Sequence, residues 1–249
     1  MERGHRWPIV DISKSIITPS GWLLYQPFEK VIMKLDKFKF YFPAQPKRVW
    51  EGSSLLLEMC HDKDVVAEYK KNGWQWILVR HANGVFEAWN RHGEKSSLRI
   101  EPYMEELNRL AWKGLCCVQI EVLDRRTVKK EEKEKLFFFD AMIWDNELLN
   151  QSTFGERREI LDYQFKDIPT KYDWLKGDGE QLQLSKIFYN SETDFKELYK
   201  EAIKTNLNEG LVLKRLSAKL EIHPRSEFKS QFSCYKWKKL ENYMKRGKK

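Results

Sequence analysis

The chain has 249 residues, 33% charged and 41% hydrophobic, enough for one large domain or one domain with a small appendage. No run approaches the ~20 apolar residues of a membrane-spanning helix, the N-terminus lacks the apolar centre of a signal peptide, and four cysteines without CxxC spacing argue against a disulfide framework or structural zinc. A cytoplasmic protein with reduced thiols is expected, and 45 Lys and Arg against 37 Asp and Glu, a net charge of +8, suits a polyanionic partner.

In chain order, Val31 to Phe42 alternates apolar and charged residues after its first three positions and predicts a strand with one wet face. It lies in residues 1–60, an N-terminal segment without a nameable motif, set apart from a domain over 61–249. Three strands follow, Val65 to Lys70, Trp74 to Val79 and Val85 to Trp89, with Asn72-Gly73 and Asn83-Gly84 between them reading as hairpin turns. Pro102 opens a helix that places Tyr103, Leu107, Leu110 and Ala111 on one face. Leu115 to Leu123 is an apolar strand, Asp124 to Lys135 a charged break, and Leu136 to Trp144 another strand. Glu156 to Tyr163 reads as helical, and Ser191 caps a further helix carrying Phe195, Leu198, Tyr199, Ala202 and Ile203 at helical spacing. Leu211 to Lys214 and Phe232 to Lys238 are the last strands, before a basic tail. Strands and helices without strict alternation predict an α+β fold.

Several strand ends carry residues able to do chemistry. Lys70 leaves a strand just before a turn, Arg91 follows 21 residues later, and Glu121 is a carboxylate inside an apolar strand. Phe139 precedes Asp140, Glu209 opens the run to Lys214, and Lys236-Trp237-Lys238 ends the last strand. Taken singly, each has an ordinary reading: a surface lysine beside a turn, a core phenylalanine, a partly buried ion pair, two wet lysines on an alternating strand. His61, His81, His92 and His223 lack metal spacing, Asn150-Gln151-Ser152 is a sequon without a secretory signal, and no GxGxxG follows a strand.

Taken in order, the series resembles the covalent nucleotidyltransferase superfamily of ATP-dependent DNA ligases, RNA ligases and mRNA capping enzymes. The matching motifs are Lys70 with Asn72-Gly73, Arg91 before Gly93, Glu121, Phe139-Asp140, Glu209 to Lys214, and Lys236 with Lys238. The lead-in Glu68-Tyr69-Lys70 and the helix start Glu156-Arg157-Arg158 to Leu161 resemble the DNA ligase branch, whereas Lys236-Trp237-Lys238 also resembles capping enzymes. The sequence departs from the pattern at Asn72 for an aspartate, Gln75 for an arginine, Asn90 for a serine and Ile120 for a glycine. Only 11 residues follow Lys238, too few for the OB-fold that comes next in such enzymes.

The resemblance implies an adenylation domain of two antiparallel sheets with flanking helices around a nucleotide cleft. It implies an ATP-dependent polynucleotide ligase that seals nicks between a 5′-phosphate and a 3′-hydroxyl in DNA repair or replication, using ATP and Mg²⁺ or Mn²⁺. Nicked duplex DNA is the expected partner, RNA the alternative, and a monomer the expected state. Lys70 is the implied nucleophile; Glu68, Arg91, Glu121, Phe139, Lys214, Lys236 and Lys238 contact the nucleotide; Glu209 and Glu121 hold metal. A free lysine is only about 0.1% neutral near pH 7.4, so nearby cations such as Lys214, Lys236 and Lys238 are expected to favour its neutral form. An RNA ligase, a capping guanylyltransferase and a non-catalytic nucleic-acid-binding protein are the rival readings.

Overall fold

A computed structural model describes residues 33–95, 98–123, 135–166, 181–205, 207–223 and 233–238. The chain divides between Val31 and Ile32, and every described residue falls in the second unit. The basic tail and most of the charged break lie outside the described residues.

The larger sheet is built on β5 (Gly73–Arg80), β6 (Phe86–Asn90), β7 (Cys116–Leu123) and β8 (Leu136–Trp144). Its order β8-β7-β5-β6 is antiparallel throughout. Beyond β8 come β9 (Glu147–Leu148) and β1 (Met33–Lys34), while β10 (Leu182–Leu184) joins β8 in parallel. The near-continuous apolar runs of β7 and β8 suit strands covered on both faces, and both are central. Asn83-Gly84 makes the expected hairpin: Gly84 has φ +88° and the His81 N–H donates to the Val85 carbonyl at 2.8 Å.

The second sheet runs β11 (Ile187–Tyr189), β4 (Val65–Lys71), β12 (Asn208–Arg215), β14 (Cys234–Lys238) and β3 (Lys47–Val49). It is antiparallel except for the edge pair β14 and β3. A short ladder of β2 (Phe42–Pro43) with β13 (Ile222–His223) stands apart from both.

Asn72-Gly73 is not a hairpin. β4 pairs within the second sheet and β5 within the first, so the chain crosses between sheets through Asn72, whose N–H donates to the Leu207 carbonyl at 2.8 Å. Gly73 serves close approach: a Cβ there would lie 2.4 Å from the Val122 carbonyl oxygen and 2.9 Å from Glu121 Cγ. The strand predicted over Val31 to Phe42 also differs. Among its described residues only β1 and Phe42 are extended ladder, and the alternation instead sets Phe40 edge-on to Phe38 and Phe42, with Phe38 and Phe40 tilted against Trp89. Residues 33–49 contribute strands to both sheets.

Helix α1 (Ser54–His61) is capped by Ser53, whose hydroxyl accepts from the Leu56 N–H. The helix after Pro102 is a 3₁₀ turn running into the single turn α2 (Met104–Leu107); Leu110 is buried but Ala111 lies exposed beyond its end. Helix α3 (Phe154–Phe165) starts two residues before the predicted point, because Thr153 and Glu156 form a capping box. Helix α4 (Phe195–Ala202) is capped by Asp194 rather than Ser191, and its buried Phe195, Leu198, Tyr199 and Ala202 pack on the second sheet with Leu211 and Leu213. The larger sheet has its own core around Val118, Ile120, Phe138 and Leu161. Among the described residues no helix is long and apolar enough to cross a membrane.

Candidate active site

Three strand ends of the second sheet form one side of a cleft of about 600 Å³. In register, Gly210 of β12 faces Lys70 of β4 on one side and Lys238 of β14 on the other. The ladder shifts between Asn208 and Gly210, the irregularity beside which Glu209 lines the cleft. Gly210 has φ +137°, and a Cβ would lie 1.9 Å from the Trp237 carbonyl oxygen, so the strands can abut only at glycine. Glu209 Oε2 lies 2.8 Å from Lys70 Nζ and also pairs with Lys238. Burial pushes the Glu209 carboxyl up, but the ammonium groups of Lys70 and Lys238 outweigh it and hold the carboxyl below its ordinary range.

The larger sheet supplies the other side. Glu121 of β7 accepts a hydrogen bond from the Gly73 N–H, and its carboxyl is pushed up to about 7; burial is the main cause, with Lys70 pulling it down and the Glu209 charge pushing it further up. Phe139 is partly exposed and lines the cleft, whereas its neighbour Phe138 is core. Gln75, standing where the pattern has an arginine, donates to the Gln119 side-chain oxygen at 2.8 Å. Arg91 lies exposed at the rim, its Nε donating to His92 Nε2 at 3.2 Å.

Beneath these residues lies a buried set of charges. Glu68, two positions before Lys70, is 3% exposed and 2.7 Å from Lys214 Nζ. Burial drives its carboxyl up, against the pull of Lys214 and Arg158. Lys214 also donates to the Phe139 carbonyl at 3.2 Å and sits 4.3 Å from the centroid of the Phe154 ring. Arg157 reaches Asp140 through two N–H groups at 2.8 and 3.0 Å. Lys71 is buried with its ammonium 4.4 Å from the Phe137 ring centroid.

Every residue assigned from sequence therefore lines this one cleft, with Lys236 beside Lys238. The cation nearest to expectation differs: Lys70 is held by the Glu209 carboxylate, and Lys214 by Glu68. Sequence reasoning left out the ion pair of Asp140 with Arg157, although both residues were noted, because nothing local marks two residues 17 apart as partners. Glu121 and Glu209 are close enough to perturb each other and fit Mg²⁺, which takes one or two carboxylates and completes its shell with phosphate and water oxygens. Among the described residues no group of three or more His, Cys, Asp or Glu side chains could hold a metal alone.

Comparison with known proteins bears on the fold. Residues 116–230 match the family model described as the ATP dependent DNA ligase domain. The ligase domain of LigD from M. tuberculosis superposes with a TM-score of 0.50 at 15% identity, over 70% of this chain and 53% of that one. Mycobacterial DNA ligase D complexed with ATP and MES gives 0.53 at 15% identity, over 81% and 62%. The chain thus spans about half to three-fifths of these proteins' lengths. No curated protein matches the sequence. The chain has the α+β nucleotidyltransferase fold, and it resembles the adenylation domains of ATP-dependent DNA ligases.

Proposed function

We propose that this chain is an ATP-dependent polynucleotide ligase that works through lysyl-AMP on Lys70 and joins DNA in preference to RNA. The observation that carries this reading is the Glu209 carboxylate held between Lys70 and Lys238 at abutting strand ends, in the cleft that Glu121 and the partly exposed ring of Phe139 also line. The match to an ATP-dependent ligase domain and the ATP held by the mycobacterial relative support ATP as the nucleotide.

Phe139 offers a face to the adenine, and Glu121 accepts from a ribose hydroxyl. Lys236 and Lys238 oppose the triphosphate charge. Lys70, freed from Glu209 as the nucleotide enters, gives up a proton to bulk water, and its Nζ lone pair forms a bond to the α-phosphorus. The bond to the bridging oxygen breaks, and pyrophosphate leaves with that electron pair. Lys238 stabilises the charge growing on the departing oxygen. Mg²⁺ held by Glu209 and Glu121 would supply further charge neutralisation at the phosphates. The AMP then passes to a 5′-phosphate, and the 3′-hydroxyl across the nick displaces it.

Incubation with α-labelled ATP or GTP and Mg²⁺, followed by denaturing electrophoresis, tests the first step. ATP is expected to label the chain, Lys70→Ala to abolish the label and Lys71→Ala to retain it, since adjacent strand residues point to opposite faces and Lys71 is buried. Labelling by GTP alone would assign the chain to capping chemistry, and AMP mapped to Lys71 would overturn the assignment of the nucleophile.

A further inference from the structure

Helix α3 carries two consecutive buried arginines, and each is tied to a strand that also bears a cleft residue. Arg157 grips Asp140 of β8 through two parallel hydrogen bonds at 2.8 and 3.0 Å, and Asp140 adjoins Phe139. Arg158 lies 3.7 Å from Glu68 of β4, two residues before Lys70 on the same strand face, and donates to the Ser185 carbonyl at 2.5 Å. Lys214 completes the circuit, 2.7 Å from Glu68 and 3.2 Å from the Phe139 carbonyl. One strand belongs to each sheet, so the helix holds both walls of the cleft through charges buried beneath it.

Stability alone is a poor reason for this arrangement, because buried ion pairs are often no more stabilising than apolar residues of the same volume. The directional bonds of Arg157 to Asp140 and of Lys214 to Glu68 fix geometry, and Arg158, held by Asp162 and the Ser185 carbonyl, adds a charge contact to Glu68 without a hydrogen bond. We propose that Arg157 and Arg158 are positioning residues: they form a clamp that sets the separation between Phe139, which receives the base, and Lys70, which attacks the α-phosphorus. The clamp rests on the reading of the cleft as an adenylation site. Its expected signature is kinetic, since a displacement of about 1 Å at reacting atoms can cost on the order of 100-fold in rate while binding contacts persist.

The test uses the full chain carrying Arg157→Lys or Arg158→Lys, which keep the charge but lose the planar fork. Leu107→Ala, in the core of the larger sheet, serves as a comparison matched in urea midpoint. At saturating ATP the lysine variants are expected to form lysyl-AMP roughly 10- to 100-fold more slowly, with half-saturation by ATP little changed, while Leu107→Ala keeps the wild-type rate. Hydrogen exchange is expected to quicken in both lysine variants over residues 66–71 and 136–141 and to stay unchanged elsewhere. If Arg157→Lys does not fold, Asp140→Asn, which retains one acceptor, is expected to give the same pattern. Rates equal to those of Leu107→Ala, or exchange that rises uniformly or not at all on the two strands, would overturn the clamp. Absence of lysyl-AMP in the wild type would remove the adenylation reading, while the exchange pattern would still decide whether the arginines hold the two strands.

Discussion

Glu121 is the residue at which pH should be felt most directly. Its carboxyl is pushed up to about 7, first by burial and then by the Glu209 charge, with Lys70 opposing. The folded chain therefore holds this proton more tightly than the unfolded chain, whose carboxyl ionises in the ordinary range near 4.5. Stability from this group is complete below that range and is lost as pH rises through 7. Glu121→Gln removes the titration, so its stability relative to wild type should improve between pH 5 and pH 8 by about 1–3 kcal/mol, measured by urea unfolding at a series of pH values. Wild-type lysyl-AMP formation should climb across pH 6 to 8 as the Glu121 carboxylate and Lys70 lose protons, and Glu121→Gln should keep only the part of the rise that follows Lys70. A stability difference that stays constant with pH would mean that Glu121 ionises like an exposed carboxylate.

Among the elements, β12 and β14 meet at the contact least tolerant of added volume. Gly210→Ala puts a methyl group against the Trp237 carbonyl in a backbone conformation that side chains rarely adopt. A loss of about 2–4 kcal/mol is expected, together with lysyl-AMP formation by whatever remains folded, because Glu209 and Lys238 face each other across that contact. Gly155→Ala on α3 is the counterpart: its nearest neighbour would be an ordinary 3.6 Å away, so a change within about 0.5 kcal/mol is expected. Urea unfolding of both variants checks the contrast. These elements were unequally legible in the sequence. The apolar runs of β7 and β8 and the spacing of Phe195, Leu198, Tyr199 and Ala202 on α4 are local patterns, and they mark their elements directly. The crossing at Asn72 was not legible, because a turn dipeptide looks the same whether the next strand pairs with the last or joins another sheet. Helix α3 hid its role for a different reason. Two of its buried residues are arginines, whose partners Asp140 and Glu68 lie far back in the chain, so neither periodicity nor charge marks the buried face. The cleft residues were read from short motifs in order, whereas the Glu209 bridge between Lys70 and Lys238 depends on strand register that only the folded chain reveals.

At the scale of the whole molecule, a net charge of +8 and a cleft carrying several cations favour association with a phosphate backbone. Nicked DNA, nicked RNA, RNA splinted on a DNA template and single-stranded RNA, each with ATP and Mg²⁺ at two salt concentrations, separate the substrates. Nicked DNA is expected to be sealed best, and less well as salt rises, with the slope of log K against log salt changing by about 0.9 for each duplex phosphate contact removed. Robust joining of an RNA-only substrate with none of nicked DNA would shift the assignment to RNA ligation and leave the Lys70 chemistry intact. The Asn72 crossover bears on how such a cleft could load and empty. Lys70 lies two positions from one point where one sheet hands the chain to the other, a local pivot, and the chain crosses again between Leu184 and Ile187. In any rotation about that pivot, displacement grows with the length of the lever arm. On the adenylation reading, such a rotation would move the Lys70 nitrogen least, and the Arg157 and Arg158 contacts beneath the cleft would oppose it.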